Sequence, residues 1–280
     1  MVAATIRAAG TSPGPNEDEP VTTDADQVPL LLEPSPMRPR IAHAIMRMAT
    51  RIDWAEPELR GLEAVIRPGD HVFDIGAAHG MYTLPAADLV GPGGRVHAFE
   101  PHPRQQSQLR FLRRVLGLRQ VDVHAAAVGS EVGEQSMRLP YHLLFPIYGH
   151  AHVAAGAAAD PKRRFRTWLT PVTTVDEVNR IEGTPRVSFI KIDVEGFEPS
   201  VIEGAAETID RDRPSLLLEI EDRHLARYGR DANQFADELR ARWPEYGMYT
   251  WTDGGWSPAE RVTLERRNYL FATADAFARP

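Results

Sequence analysis

The sequence predicts an α/β fold: a mainly parallel, doubly wound sheet with an antiparallel edge strand and an inserted lid. Three observations lead there. From Gly69 onward, apolar runs of strand length alternate with helix-length amphipathic runs. The last two strand-like runs have no helix between them, which makes an antiparallel edge. Acids recur at the ends of the strand-like runs, where an open parallel sheet binds its ligands.

Residues 1–36 are rich in Pro, Gly, Thr and acids without apolar periodicity, and read as a disordered tail. Residues 37–280 read as one domain. A helix is expected over 40–53, with Ile41, Ile45, Met48 and Ile52 on one face and Arg40, His43, Arg47 and Arg51 on the other. Then follow the strand "HVFDIG" (71–76), a helix in "GMYTLPAADLV", the strand "GRVHAFE" (94–100), a helix in "RQQSQLRFLRRVLG", and a third strand over 121–129. The stretch 140–170 breaks the rhythm with aromatics, three histidines and the basic "KRRFR" (162–166). It is expected to be a long loop serving as lid or substrate-recognition insert. The series resumes with "VSFIKIDV" (187–194), one helix in "PSVIEGAAETIDR", the strand "SLLLEI" (215–220) and a helix in "NQFADELRARW". It closes on "GMYTWT" and "NYLFATA".

Composition bounds the chemistry. Net charge is −7, but residues 1–36 hold one arginine against six acids, so the remainder is nearly neutral and carries no basic stripe for nucleic acid. No run is long enough to cross a bilayer, so stable membrane insertion is not expected. There is no cysteine, hence no disulfide or thiol chemistry. The start of the chain lacks a charged-then-apolar leader pattern, and a cytoplasmic location is the expectation. The sequence leaves oligomeric state open, a homo-oligomer included.

The chemistry concentrates at strand ends: Asp74 and Gly76 after the first, Glu100 after the second, Asp193 and Glu195 after the fourth, Glu219 after the fifth. Each alone fits an ordinary role, Asp74 as a cap and Glu100 as a surface acid. Together they face one crevice. "DIGAAHG" holds Gly76 and Gly80, which let the backbone approach a ligand and start a helix tightly. It is not the G-x-G-x-x-G of a pyrophosphate site, and Asp74 would repel phosphate and attract a cation. Glu100 follows Gly76 by 24 residues, about where an acid grips ribose hydroxyls. A nucleoside with a positive group and no phosphate describes S-adenosylmethionine.

"FDIGAAHGMYTLPAA", "VHAFEPHP", "AAAVGS", "VTTVDEV", "FIKIDVEGFEPSVIEGA" and "RPSLLLEI" stand in the order seen in FkbM-type methyltransferases, and the chain resembles that family over about residues 60–220. The resemblance implies a Rossmann-like class I methyltransferase fold, S-adenosylmethionine as cofactor, and O-methylation of a small hydroxylated substrate such as a sugar, polyketide or glycolipid. It implies that Asp74, Gly76 and Gly80 flank the methionine portion and Glu100 the ribose, with Ala77, Tyr82, Pro101 and Asp193 as further cofactor-site candidates. The chain departs from the family at Ala78 and His79, where asparagine is often found.

An acceptor hydroxyl must lose a proton during transfer, and two designs suit these residues. In one, Asp193, Glu195 and Glu219 hold a divalent cation such as Mg²⁺ that lowers the hydroxyl's pKa. In the other, Asp193 or a histidine is the general base, with His142, His150, His152 and His224 as candidates. A nicotinamide-dependent oxidoreductase and a catalytically silent cofactor-binding module are the competing readings.

Overall fold

The computed structural model describes residues 55–142, 145–146, 152–154, 164–252 and 254–278. The expected tail, the expected helix over 40–53 and His150 lie outside them. A 3₁₀ helix, Pro57–Ala64, leads into β1 (His71–Ile75), α1 (Thr83–Val90), β2 (Arg95–Phe99), α2 (Pro103–Leu116) and β3 (Val121–His124). An insert of five strands follows: β4 (Ala127–Val128), β5 (Gly133–His142), β6 (Phe145–Pro146), β7 (His152–Val153) and β8 (Arg164–Thr173). The alternation returns with α3 (Val175–Ile181), β9 (Val187–Ile192), α4 (Glu198–Glu203), α5 (Ala206–Asp212), β10 (Ser215–Glu219), α6 (Asp222–Leu225) and α7 (Ala232–Arg242). It ends with β11 (Gly247–Thr252), β12 (Gly255–Pro258), β13 (Asn268–Ala272) and α8 (Ala274–Ala278).

The main sheet has the order β12-β11-β13-β10-β9-β1-β2-β3. The strands β10, β9, β1, β2 and β3 are mutually parallel, and β13, β11 and β12 extend one side antiparallel. Every residue of β9 and β10 is buried. Phe73, Ile75, Ile190 and Ile192 enter one core cluster and Val72, Phe189 and Leu217 the other, the period-2 alternation of a sheet covered on both faces. Local chemistry agrees with the helices. Thr174 accepts from the Glu177 amide at 2.9 Å to cap α3, Asp231 accepts from the Gln234 amide at 2.8 Å to cap α7, and Gly117 closes α2 at φ +67°.

Three expectations are corrected. The third strand ends at His124, and Ala127–Val128 instead pair with β8 in the insert's own sheet. The long loop expected over 140–170 is in part sheet: β5 pairs β8 from Gly133↔Val172 to Tyr141↔Arg164, and β7 pairs β5. The helix expected over 199–211 is two helices meeting at Gly204–Ala205. A Cβ on Gly204 would stand 2.0 Å from the Gly129 carbonyl oxygen, an approach only glycine permits.

One buried group makes the fold sensitive to acid. His97 on β2 is 1% exposed and packs between Phe73 and His124, with its Nδ1 3.2 Å from His124 Nε2. Burial, reinforced by His124, lowers its pKa to about 4. The unfolded chain therefore takes up a proton first as pH falls, and stability is lost between about pH 6.5 and pH 4, by on the order of 3 kcal/mol at the limit. Urea unfolding of wild type and His97→Phe at about pH 7 and pH 4.5 should show most of that difference, since the carboxylates titrate in both chains. Equal acid sensitivity in the two would overturn the assignment.

Candidate active site

The strand order reverses between β1 and β9, and the crevice at their carboxyl ends is where this architecture binds ligands. The Asp193 amide donates to the Ile75 carbonyl at 3.0 Å, so the loop after β9 lies against the turn after β1. Gly76 has φ +84°, and a Cβ there would come within 1.9 Å of the Asp193 carbonyl oxygen. This glycine is required by the neighbouring Asp193 backbone, and it also lines the site's cavity. Gly80 is required by its φ of +85°, with the end of the Leu109 side chain 2.8 Å from where its Cβ would be.

The turn closes on Glu100. Its Oε2 accepts from the Ala78 amide at 2.9 Å and its Oε1 from the His102 amide at 2.7 Å. Burial pushes its pKa up to about 7 against the pull of those two amides. Asp74 lies deeper, 2% exposed, and accepts from Thr83 Oγ1 at 2.5 Å, tying the end of β1 to the first residue of α1. Burial raises it to about 6, with Thr83 and Lys191 opposing.

Lys191 stands beside Asp74 in register on the same face of the sheet. It is 1% exposed, with Nζ 3.5 Å from Asp193 Oδ2, 3.4 Å from Asn268 Oδ1 and 5.0 Å from the Tyr82 ring centre. Burial pulls its pKa down, but Asp193, Glu56, Glu219 and Asp74 outweigh that and the net shift is upward. Tyr82 donates to Glu56 Oε2, which also accepts from Asn268 Nδ2 at 2.9 Å. The loop "DVEGFE" is held from below by Glu198, whose Oε1 accepts from the Val194 and Gly196 amides, both at 3.1 Å. Glu195 sits at φ +59° and contacts Arg227 at 3.4 Å and His224 Nε2 at 3.2 Å through its Oε2. Burial raises Glu195 to about 8, with Asp193 adding to the shift and Arg227 opposing it. Glu219 is likewise pushed upward, by burial first and then by Asp193.

A cavity opens between these elements. Gly76, Glu100, Pro101, Asp193 and Glu195 line it, and Met137, Val153 and Phe197 bring an apolar wall from the insert and the loop after β9. Asp74, Ala77, Gly80, Tyr82, Glu219 and His224 are not among its lining residues, and those with side chains are buried, at 8% exposure or less. His152 is buried edge-on against Phe165, away from the cavity lining. The apolar wall was not foreseen, because the pairing that brings Met137 and Val153 together spans an irregular stretch of sequence. Arg227 gave no signal at all, whereas a lysine inside the apolar run "VSFIKI" did.

The sheet order and the crevice at the reversal define a doubly wound, Rossmann-like α/β fold whose ligand crevice lies between β1 and β9. Residues 74–247 match the Methyltransferase FkbM domain, and the chain belongs to that family. The 31-O-demethyl-FK506 methyltransferase FkbM of Streptomyces tacrolimicus is 31% identical over 182 residues, covering 57% of this chain and 67% of its own. A protein-L-isoaspartate O-methyltransferase of Aeropyrum pernix is 38% identical over 96 residues, 34% of either chain. The solved methyltransferase FkbM of Methylobacillus flagellatus aligns with a TM-score of 0.45 at 18% identity over 77% of this chain, which spans half of that one. Membership of the family sets aside the nicotinamide reading. No helix among the described residues is long and apolar enough to cross a membrane.

Proposed function

We propose that the chain methylates a hydroxyl oxygen of a small metabolite, a sugar, polyketide or related compound, with Asp193 receiving the hydroxyl proton. The observation that carries this reading is the position of Asp193: its side chain is 31% exposed on the cavity wall, steadied by Lys191 beneath it. No lysine or arginine lines the cavity among the described residues, which favours an uncharged acceptor over an anionic one.

The residues present suit the cofactor. A carboxylate has about four acceptor sites, and each Glu100 oxygen has one backbone amide, leaving capacity toward the cavity for paired ribose hydroxyls. S-adenosylmethionine supplies, when bound, a methyl group on a sulfonium. The chain's own part is to hold the acceptor oxygen at near-attack distance, keep water out with the Met137, Val153 and Phe197 wall, and take up the proton at Asp193.

Calorimetric titration of S-adenosylhomocysteine and NADH tests the cofactor, and a labelled methyl donor offered with a panel of polyols, hydroxylated polyketides and amines tests the acceptor. Glu100→Ala should weaken S-adenosylhomocysteine by about 10–100-fold, the loss of hydrogen bonds to a charged group. No binding by wild type, or transfer to nitrogen acceptors alone, would overturn the reading.

A further inference from the structure

At the edge of the cavity, three side chains from three elements converge: Glu195 from the loop after β9, which lines the cavity, Glu219 at the end of β10 and His224 in α6. One ligand atom of each lies within 4.8 Å of the others. His224 Nε2 is 3.2 Å from Glu195 Oε2, and His224 Nδ1 is 3.7 Å from Glu219 Oε2. All three are buried, at 8%, 8% and 2% exposure. We infer that Glu195, Glu219 and His224 form a site for one divalent first-row transition ion, for which Mn²⁺ is a spectroscopic probe.

The ligand set changes the expectation formed from the sequence, which placed Mg²⁺ on Asp193, Glu195 and Glu219. Mg²⁺ prefers oxygen ligands and keeps several of its waters. An imidazole with two carboxylates suits a softer ion, which accepts nitrogen and oxygen together. The acids Asp193, Glu195 and Glu219 gather at one place, with Glu198 1% exposed beneath the same loop. An ion bound there would take the place of the protons that burial holds on Glu195 and Glu219. Glu195 also lines the cavity, so the ion would stand one residue behind the acceptor's position. Its part in transfer rests on the methyltransferase reading, but its binding does not.

The experiment is titration of Mn²⁺ into the full chain after chelator treatment, following loss of the free-ion electron paramagnetic resonance signal, with Mg²⁺ as competitor. Saturable binding of one Mn²⁺ per chain is expected, poorly displaced by equimolar Mg²⁺. His224→Ala and Glu219→Gln should each weaken it beyond the roughly 10–100-fold that loss of an outer-shell partner costs. Melting curves and S-adenosylhomocysteine binding by the same variants establish that they are folded, and Glu195→Gln replaces any variant that is not. Absence of saturable binding up to about 1 mM, the weak end of divalent-cation sites, would overturn the inference and leave a hydrogen-bonded imidazole bridge between two carboxylates. Undiminished binding in the folded variants would overturn it equally. Mn²⁺ binding without S-adenosylhomocysteine binding would support the ion site and defeat the cofactor reading.

Discussion

Asp193→Asn is expected to lower the single-turnover rate of methyl transfer by about 10²–10⁴-fold, the usual contribution of a positioned general base. Asparagine keeps the side chain's shape and can still accept from Lys191, whose Nζ lies 3.5 Å from Oδ2 in the native chain. The backbone of residue 193, which bonds Ile75 and lies over Gly76, is untouched. S-adenosylhomocysteine affinity should therefore stay within a few-fold, so the loss appears in the rate and not in the cofactor KM. The acceptor identified with the labelled donor is the substrate for this measurement. A rate within about tenfold of wild type would place the proton acceptor elsewhere, with Glu195 next along the same wall.

The sequence made the frame of this site legible because a buried parallel strand leaves an unmistakable trace. "VSFIKI" and "SLLLE" are apolar on both faces, and the acids that follow them have to stand at the strand ends. What it concealed were the contacts between distant segments. Gly76 reads as a glycine for a ligand, but its constraint is the Asp193 carbonyl, 117 residues further on in the chain. Asp74 and Glu100 look equivalent in the sequence. One is sealed under Thr83, while the other meets the cavity, because Glu100 follows the last residue of its strand and Asp74 sits within its own. His224 read as one of four candidate general-base histidines. Only the course of the chain after β10 brings it to both Glu195 and Glu219.

Lys191 is the residue on which this arrangement depends most for stability. It is buried, and the carboxylates of Asp193, Glu56, Glu219 and Asp74 surround it. Lys191→Met preserves the stem that packs in the sheet and removes only the charge. Breaking a buried ion pair by deleting one partner costs about 3–5 kcal/mol, because the remaining charge is left uncompensated. At about 2–4 °C per kcal/mol for a domain of this size, the melting temperature should fall by roughly 10 °C. The carboxyl groups can relieve part of the strain by holding protons: Glu219 is already pushed up to about 10, and Asp74, at about 6, is the one that titrates next. A carboxyl group whose folded pKa is raised loses stability as pH climbs through that value. The loss should thus be larger at about pH 8 than at pH 6. Thermal unfolding at the two pH values checks both statements. A fall of less than about 2 °C, or one independent of pH, would mean that these carboxylates are already protonated or screened, and that Lys191 compensates none of them.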